Sequence, residues 1–272
     1  MNTQKPTLRR LGQDDTESLI SYLESDRHNN LFHLSNLDQL SFDHPDLRYF
    51  GAFQPDGDWA GELMLFRTSA GVYWQDRRVL PYFKDIILRE KARAISGQKD
   101  QVNPLLNLLP DGVISERISA TYAVVGNDDL LPWAERGERP ATLDDCDLLA
   151  DLYARNLLFG KLDWDKHRAR IESVLTTGGI ITLIERDGLA VSAARTSAIG
   201  HGMAMIGGVI TLPAYRQMGL ARACTGLLSR QLIERGLDSC LTYNSADPAA
   251  SRTYLGLGYR TIDEWTIAFL EP

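Results

Sequence analysis

The stretch of this chain best equipped for chemistry is residues 206–221, Ile-Gly-Gly-Val-Ile-Thr-Leu-Pro-Ala-Tyr-Arg-Gln-Met-Gly-Leu-Ala. Residues 206–212 are apolar and rich in β-branched types, the pattern of a buried strand. Pro213 cannot donate to a sheet ladder and ends it. Arg216-Gln217-Met218-Gly219 then makes a turn whose glycine lets the backbone take a positive φ or approach a ligand closely. From Leu220 a helical pattern begins, with Leu220, Cys224, Leu227 and Leu228 on one face. The first N–H groups of a helix lack partners and carry partial positive charge, so a strand feeding such a turn suits a phosphate-bearing cofactor. Arg216, Arg222 and Arg252 are the candidates for a local basic patch around it.

The elements that must position this turn follow from pattern. Upstream, residues 139–143 read as a strand and Asp144-Asp145 as a helix start. Residues 163–175 form the next helix, ended by Gly178-Gly179. Residues 180–186 and 189–199 are strands joined by Asp187-Gly188, and Gly200-His201-Gly202 leads into the strand at 206. Downstream, the helix ends at Gly236, and a strand lies within 237–244. Asp247-Pro248 opens a second helix as N-cap and first helical residue. Strands at 259–262 and 264–270 close the chain.

The first half repeats this grammar. A strand at 7–11 leads to a helix with Asp14 as N-cap and Glu17 as its capping-box partner, followed by a helix over 29–40. A hairpin pairs 49–53 with 59–67, and a strand covers 71–74. Residues 82–91 are helical or irregular, 92–96 a strand broken by Gly97, 99–109 a helix containing Pro104, and 117–125 a strand. The linker is expected in 126–140, giving domains 1–130 and 131–272. Asp14-Asp15 with Leu19 and Asp144-Asp145 with Leu149 recur at an offset of 130 residues. A duplicated β-α start explains this, and so does the ordinary form of any capped amphipathic helix.

Composition narrows the function classes. The 272 residues are 44% hydrophobic and carry a net charge of −7, which argues against nucleic-acid and anionic-membrane partners. No apolar run reaches the roughly 20 residues of a bilayer span, and the N-terminus has no signal-peptide core. A cytoplasmic protein is expected. Cys146, Cys224 and Cys240 are too widely spaced for a metal site and odd in number, so no metal is expected.

The order strand, two helices, three strands, turn, helix, strand, helix, strands, with Arg216-Gln217-Met218-Gly219-Leu220-Ala221 at the turn, resembles the GCN5-related N-acetyltransferase (GNAT) superfamily. Its acyl-CoA signature is Gln or Arg, two residues, Gly, one residue, then Gly or Ala. Pro213, Tyr215-Arg216, Tyr254 and Gly258-Tyr259 fall at further matching places, and the resemblance covers residue 139 onward. It implies an α+β fold, a mixed, mostly antiparallel central sheet flanked by helices. The first half lacks the signature, with Gly97-Gln98-Lys99-Asp100 and no second glycine. If it shares the fold it is a degenerate copy, an arrangement that resembles glycine N-acyltransferase-like or FR47-like two-domain proteins.

The resemblance further implies acetyl-CoA as acyl donor. The backbone of Val209, Ile210 and Thr211 would pair with the pantetheine arm, and N–H groups of Gln217, Met218, Gly219, Leu220 and Ala221, beside Arg216, would hold the pyrophosphate. Tyr254 stands where a tyrosine protonates the leaving thiolate; a tyrosine on an amphipathic helix also serves simply as core. Asp247 and Ser251 fall on the pantetheine side, Asp247 where relatives carry an asparagine. An ionised carboxylate accepts but does not donate, so the contact differs there. Gly207-Gly208 marks either a bulge that frees an N–H for the thioester oxygen or a close backbone crossing. Glu185 and His201 are the nearest bases, and Asn156, Phe159 and Trp164 lie on the acceptor side by analogy. Cys224 faces the sheet, which argues against an acyl-cysteine.

The activity implied is direct transfer of an acetyl group to a primary amine of a small molecule, amino acid or peptide, by a monomer or homodimer. A non-catalytic acyl-CoA-binding or sensing protein, or an acyltransferase for longer chains, is the alternative.

Overall fold

The computed structural model describes residues 5–155 and 163–271. Alternation of β-branched runs with capped amphipathic segments yields, in chain order, β1 (Thr7–Arg10), α1 (Thr16–Glu24), α2 (Leu31–Gln39), β2 (Leu47–Phe53), β3 (Trp59–Phe66), β4 (Ser69–Trp74), α3 (Leu80–Arg89), β5 (Ala94–Gln98), α4 (Lys99–Leu106) and β6 (Ile114–Val125). The series then starts again with β7 (Glu138–Pro140), α5 (Cys146–Ala154), α6 (Trp164–Thr176), β8 (Ile181–Arg186), β9 (Leu189–Gly200), β10 (Met203–Thr211), α7 (Leu220–Glu234), β11 (Asp238–Asn244), α8 (Pro248–Leu255) and β12 (Arg260–Leu270).

The chain forms two compact units, divided differently from the expected 1–130 and 131–272. One runs to Thr121 and takes in the chain from Asp263 on; the other is Tyr122–Ile262. The physical reason is β12. The two closing strands expected at 259–262 and 264–270 are one strand, and it pairs antiparallel with β5 from Trp265↔Gln98 to Phe269↔Ala94. That pairing also extends β5 through Gly97, which the sequence reading made a breaker.

In the first unit the strand order is β1-β2-β3-β4-β5-β12 followed by β6. α1 and α2 cover one face around Leu19, Leu23, Leu34 and Tyr49, and α3 and α4 cover the other around Leu80, Phe83, Ile87 and Val102. α4 keeps Pro104 inside it but ends at Leu106, where turns take over. In the second unit the order is β7-β8-β9-β10-β11, with the end of β6 beyond β11. α5 and α6 pack on one face around Leu149, Leu152, Ile171 and Ala193, and α7 and α8 on the other around Leu220, Cys224, Leu228 and Tyr259. Each fully buried leucine of these faces contributes about 2 kcal/mol by removal from water. β9 pairs antiparallel with both β8 and β10, and β10–β11 is parallel. This is the mixed, mostly antiparallel sheet flanked by helices that the sequence indicates.

The helix starts differ from expectation in one detail. A short 3-10 turn precedes α1, so the acid that reaches back is Asp15, accepting from Gly12 N–H at 2.9 Å, and not Glu17. The same turn before α5 makes Asp145 accept from Thr142 N–H at 2.8 Å.

Candidate active site

β10 parts from β11 halfway along. The ladder runs from Met203↔Asp238 to Ile206↔Leu241 and stops, so residues 207–211 have no ladder partner on that side. On the other side β10 stays paired with β9, through a bulge. Gly207 pairs with Arg195 and Ile210 with Ala193, leaving Gly208 and Val209 opposite one residue. Gly208 takes φ +58, which an L side chain rarely adopts. Of the two expectations for Gly207-Gly208 the structure shows the bulge, and in place of a backbone crossing both glycines are crowded by side chains. A Cβ would lie 2.2 Å from Ser197 Oγ at Gly207 and 2.7 Å from Arg195 Nε at Gly208.

Tyr153 from α5 donates to the Gly208 carbonyl at 2.7 Å. The peptide is trans, so the Val209 N–H points to the opposite side.

Past Pro213–Tyr215 the chain turns through two left-handed residues, Gln217 (φ +63) and Gly219 (φ +76), and Gly219 caps α7 without any side-chain bond. The first N–H groups of α7 therefore keep their unpaired character, which leaves the turn suited to an anion. Cations flank it: Arg136 Nε donates to Met218 O at 3.3 Å, and Arg216 Nε to Thr211 O at 3.4 Å. Arg222 is directed elsewhere, to the carbonyls of Gly256 and Pro132.

α8 supplies the third component. Asp247 Oδ1 accepts from Ala249 N–H at 2.9 Å and Ala250 N–H at 3.1 Å, which fixes the start of the helix. Ser251 sits half-buried in its first turn. Tyr254 is 8% exposed and belongs to the cluster against which Val209, Leu212 and Tyr243 pack. Burial, then the charges of Asp247 and Tyr243, push its phenol well above the usual tyrosine range. It stays a protonated donor at neutral pH.

The expected bases do not converge on the bulge. Glu185, near the end of β8, pairs with Arg139 at 3.2 Å. His201 precedes β10 at its far end, seven residues from Gly208, about 20 Å along an extended strand. Trp164 opens α6 and donates from its indole to Asp151 at 2.7 Å. Asn156 and Phe159 lie outside the described residues. Cys224 is buried and its thiol is pushed up to about 12, chiefly by burial, so it is inert as a nucleophile.

The sequence reading missed a polar group beside the bulge. Tyr153, His167, Arg170, Ile171 and Arg195 line one narrow pocket, and the Tyr153 and His167 rings stack with centroids 6.0 Å apart. A signal existed for one of them. Arg195 interrupts the small, buried run of β9, where a charge has no reason of packing. Arg136 carried no signal, because only the folded turn brings it to Met218. Among the described residues no His, Cys, Asp and Glu group can hold a metal, and no helix is long and apolar enough to cross a membrane.

Comparison with known proteins bears on the fold that carries this turn. Residues 185–267 match the family model for FR47-like protein. No curated protein matches the chain. Among solved structures it is similar to a GNAT-family acetyltransferase from Colwellia psychrerythraea, at TM-score 0.63 and 12% identity over 98% of this chain and 100% of that one. A Drosophila protein gives TM-score 0.68 at 12% identity over 97% and 98%. A tandem GNAT protein from the clavulanic acid biosynthesis pathway gives TM-score 0.63 at 12% identity, again over 97% and 98%. At such identity these likenesses show the fold alone: the chain has the fold of these GNAT-family structures, and its residues 185–267 match the FR47-like model.

Proposed function

We propose that the chain is an acetyl-CoA-dependent N-acetyltransferase acting on a primary amine of a small molecule, amino acid or peptide. The observation that carries this reading is continuity: the unpaired edge of β10 runs directly into the Gly219 cap of α7. An extended pantetheine arm hydrogen-bonds as an added strand and needs such an edge. A pyrophosphate needs convergent N–H groups. Val209, Ile210 and Thr211 serve the first, and Gln217 to Ala221, with Arg216 and Arg136, the second.

The bulge aims the Val209 N–H away from Tyr153, where it can polarise the thioester carbonyl as the attacking nitrogen forms its bond to carbon. The C–S bond breaks, Tyr254 O–H gives its proton to the departing thiolate, and the amine proton leaves to water. Asp247 holds the start of α8 and with it the position of Tyr254, and Ser251 stands on the pantetheine side. The protein acts in the cytoplasm, as a monomer or homodimer.

The test is release of free CoA thiol from acetyl-CoA across a panel of amines. Wild type is expected to turn over, and Tyr254→Phe to lose about two orders of magnitude in kcat with little change in acetyl-CoA binding. Since the phenol titrates above its ordinary 10.0, the Tyr254-dependent rate should persist to pH 10 without an alkaline fall.

One observation favours a second reading, a non-catalytic acyl-CoA-binding protein: neither Glu185 nor His201 stands at the bulge. Tight acetyl-CoA binding with no turnover on any amine, unaffected by Tyr254→Phe, decides for it.

A further inference from the structure

Arg195 is a buried cation without an anion. The residue is 8% exposed, and its Nη1 donates to two neutral acceptors, Thr196 O at 3.2 Å and Ser197 Oγ at 3.4 Å. Among the described residues no carboxylate pairs with it, and residues 156–162, Asn-Leu-Leu-Phe-Gly-Lys-Leu, contain none in their sequence. Charges withdrawn from water are ordinarily paired, because an isolated one costs several kcal/mol.

Its surroundings sharpen the deficit. The pocket it lines is shared with Tyr153, His167, Arg170 and Ile171, and none of these side chains is acidic. His167 is 4% exposed and its Nε2 has no partner. Burial first, then Arg170 and Arg195, hold His167 below the usual histidine range; Asp163 opposes this, but it is engaged as the cap of α6. The pocket also abuts the bulge, for the Gly208 Cβ position lies 2.7 Å from Arg195 Nε and 3.1 Å from the Tyr153 hydroxyl.

We infer that this pocket binds the carboxylate of the amine acceptor, with Arg195 as its principal partner. The inference rests on the acetyltransferase reading. A guanidinium offers a planar fork matched to a carboxylate, and the unpartnered Nε2 adds a donor once its tautomer or charge allows. Anchored there, a carboxylate holds an amine a few bonds away at the Gly208–Val209 bulge. The acceptor class is therefore amino acids or compounds with a carboxylate near the amine, as opposed to simple amines or polyamines.

The experiment uses the full chain and amino acids each paired with its carboxamide, which differs only in the charge. Wild type should prefer the free acid by at least about thirtyfold in kcat/KM, mostly through KM. Arg195→Met should bring that ratio near one, and Arg195→Lys, which keeps the charge but not the fork, should retain part of it. Equal rates for acid and amide in wild type, or an unchanged ratio in Arg195→Met, overturns the inference while leaving the acetyltransferase reading intact.

A second arm needs no turnover. The amino acid, without acetyl-CoA, should raise the melting temperature of wild type and not of Arg195→Met, and the amide should raise neither. If that pattern appears with no transfer to any amine, the pocket stands and the acetyltransferase reading falls. If acetate at equal concentration stabilises as much as the amino acids, the pocket takes free anions and the acceptor assignment is overturned.

Discussion

In the first unit Arg9 grips Asp15 through contacts of 2.7 and 2.5 Å, and Asp15 accepts from the Gly12 N–H. In the second, Arg139 grips Asp145 at 2.8 and 2.6 Å, and Asp145 accepts from the Thr142 N–H. Every member of the second set stands 130 residues after its counterpart, as do the bounds of α5 after those of α1. At the other end of the sheets the units part. β4 leaves β5 after only Ser69↔Ala94 and Ala70↔Ile95, as β10 leaves β11. There the Trp74 N–H is taken by Gln101 Oε1 at 2.8 Å, and the Trp74 indole by Gln101 O at 2.9 Å.

The β3–β4 register shows no bulge, whereas β10 has one at Gly208. The turn before α3 is capped by Asp76, which accepts from the Arg78 N–H at 2.9 Å and is held down to about 2, chiefly by hydrogen bonds from the Arg78 side chain. The first unit thus carries its own anion at the helix entrance and its own donor–acceptor pair at the strand edge. The second leaves both open. On the acyl-CoA reading proposed above, the difference teaches that this architecture keeps or surrenders its cofactor site through a few residues, Gln101 and Asp76 against Gly208 and Gly219, with the layers unchanged.

Closing the open unit is the change of largest expected effect. Gly219→Val places a β-branched residue at φ +76, a conformation costing it about 1–3 kcal/mol. The turn relaxes and the N–H groups no longer converge. Acetyl-CoA affinity by calorimetry should fall at least about tenfold, or about 1.4 kcal/mol. Retained affinity would break the comparison at its centre. The reciprocal change, Asp76→Gly, should not create a second site, because Gln101 still fills the edge of β4. Binding should remain at one acetyl-CoA per chain, with only about 0.3 kcal/mol of stability lost with the cap, because glycine is itself tolerated there.

Gln101→Ala comes next. It leaves the Trp74 backbone N–H without its acceptor, while the indole keeps the Gln101 carbonyl, and should cost about 1 kcal/mol in urea unfolding. If Gln101→Ala costs nothing, the edge was not being held by that side chain, and the first unit is closed for some other reason.

Much of this was legible before folding. Period, caps and turn glycines placed nearly every element, and Pro213, Gly219 and the apolar face from Leu220 located the turn into α7, because these are local preferences written in adjacent residues. Three things were not local. β12 pairs with β5, a contact across more than half the chain that no period encodes. The Gln101 plug depends on where α4 lands relative to Trp74. The pocket around Arg195 gathers residues from α5, α6 and β9, and only the odd charge within a run of buried small residues hinted at it. Asp15 replaced Glu17 as capping partner because a 3-10 turn shifted the frame by two residues, below the resolution of a pattern.

The smallest effect tests the shared end. Arg9 and Arg139 are 52% and 42% exposed in their side chains, so solvent screens much of each pair, and Arg9→Ala and Arg139→Ala should each cost only about 0.5 kcal/mol. Arg139→Ala should cost slightly more, since Asp145 is the less exposed acid and Glu185 also loses its partner at 3.2 Å. Both acids titrate below their ordinary 3.8, first because of the arginine bonds. Their pairing therefore stabilises the fold above that value and is lost as pH falls through the depressed range. Each substitution should flatten the acid limb of stability by a similar amount, read from urea melts at about pH 3 and pH 7. A large effect in one unit and none in the other would show that the matching geometry hides unlike roles, and that the two starts are alike only in form.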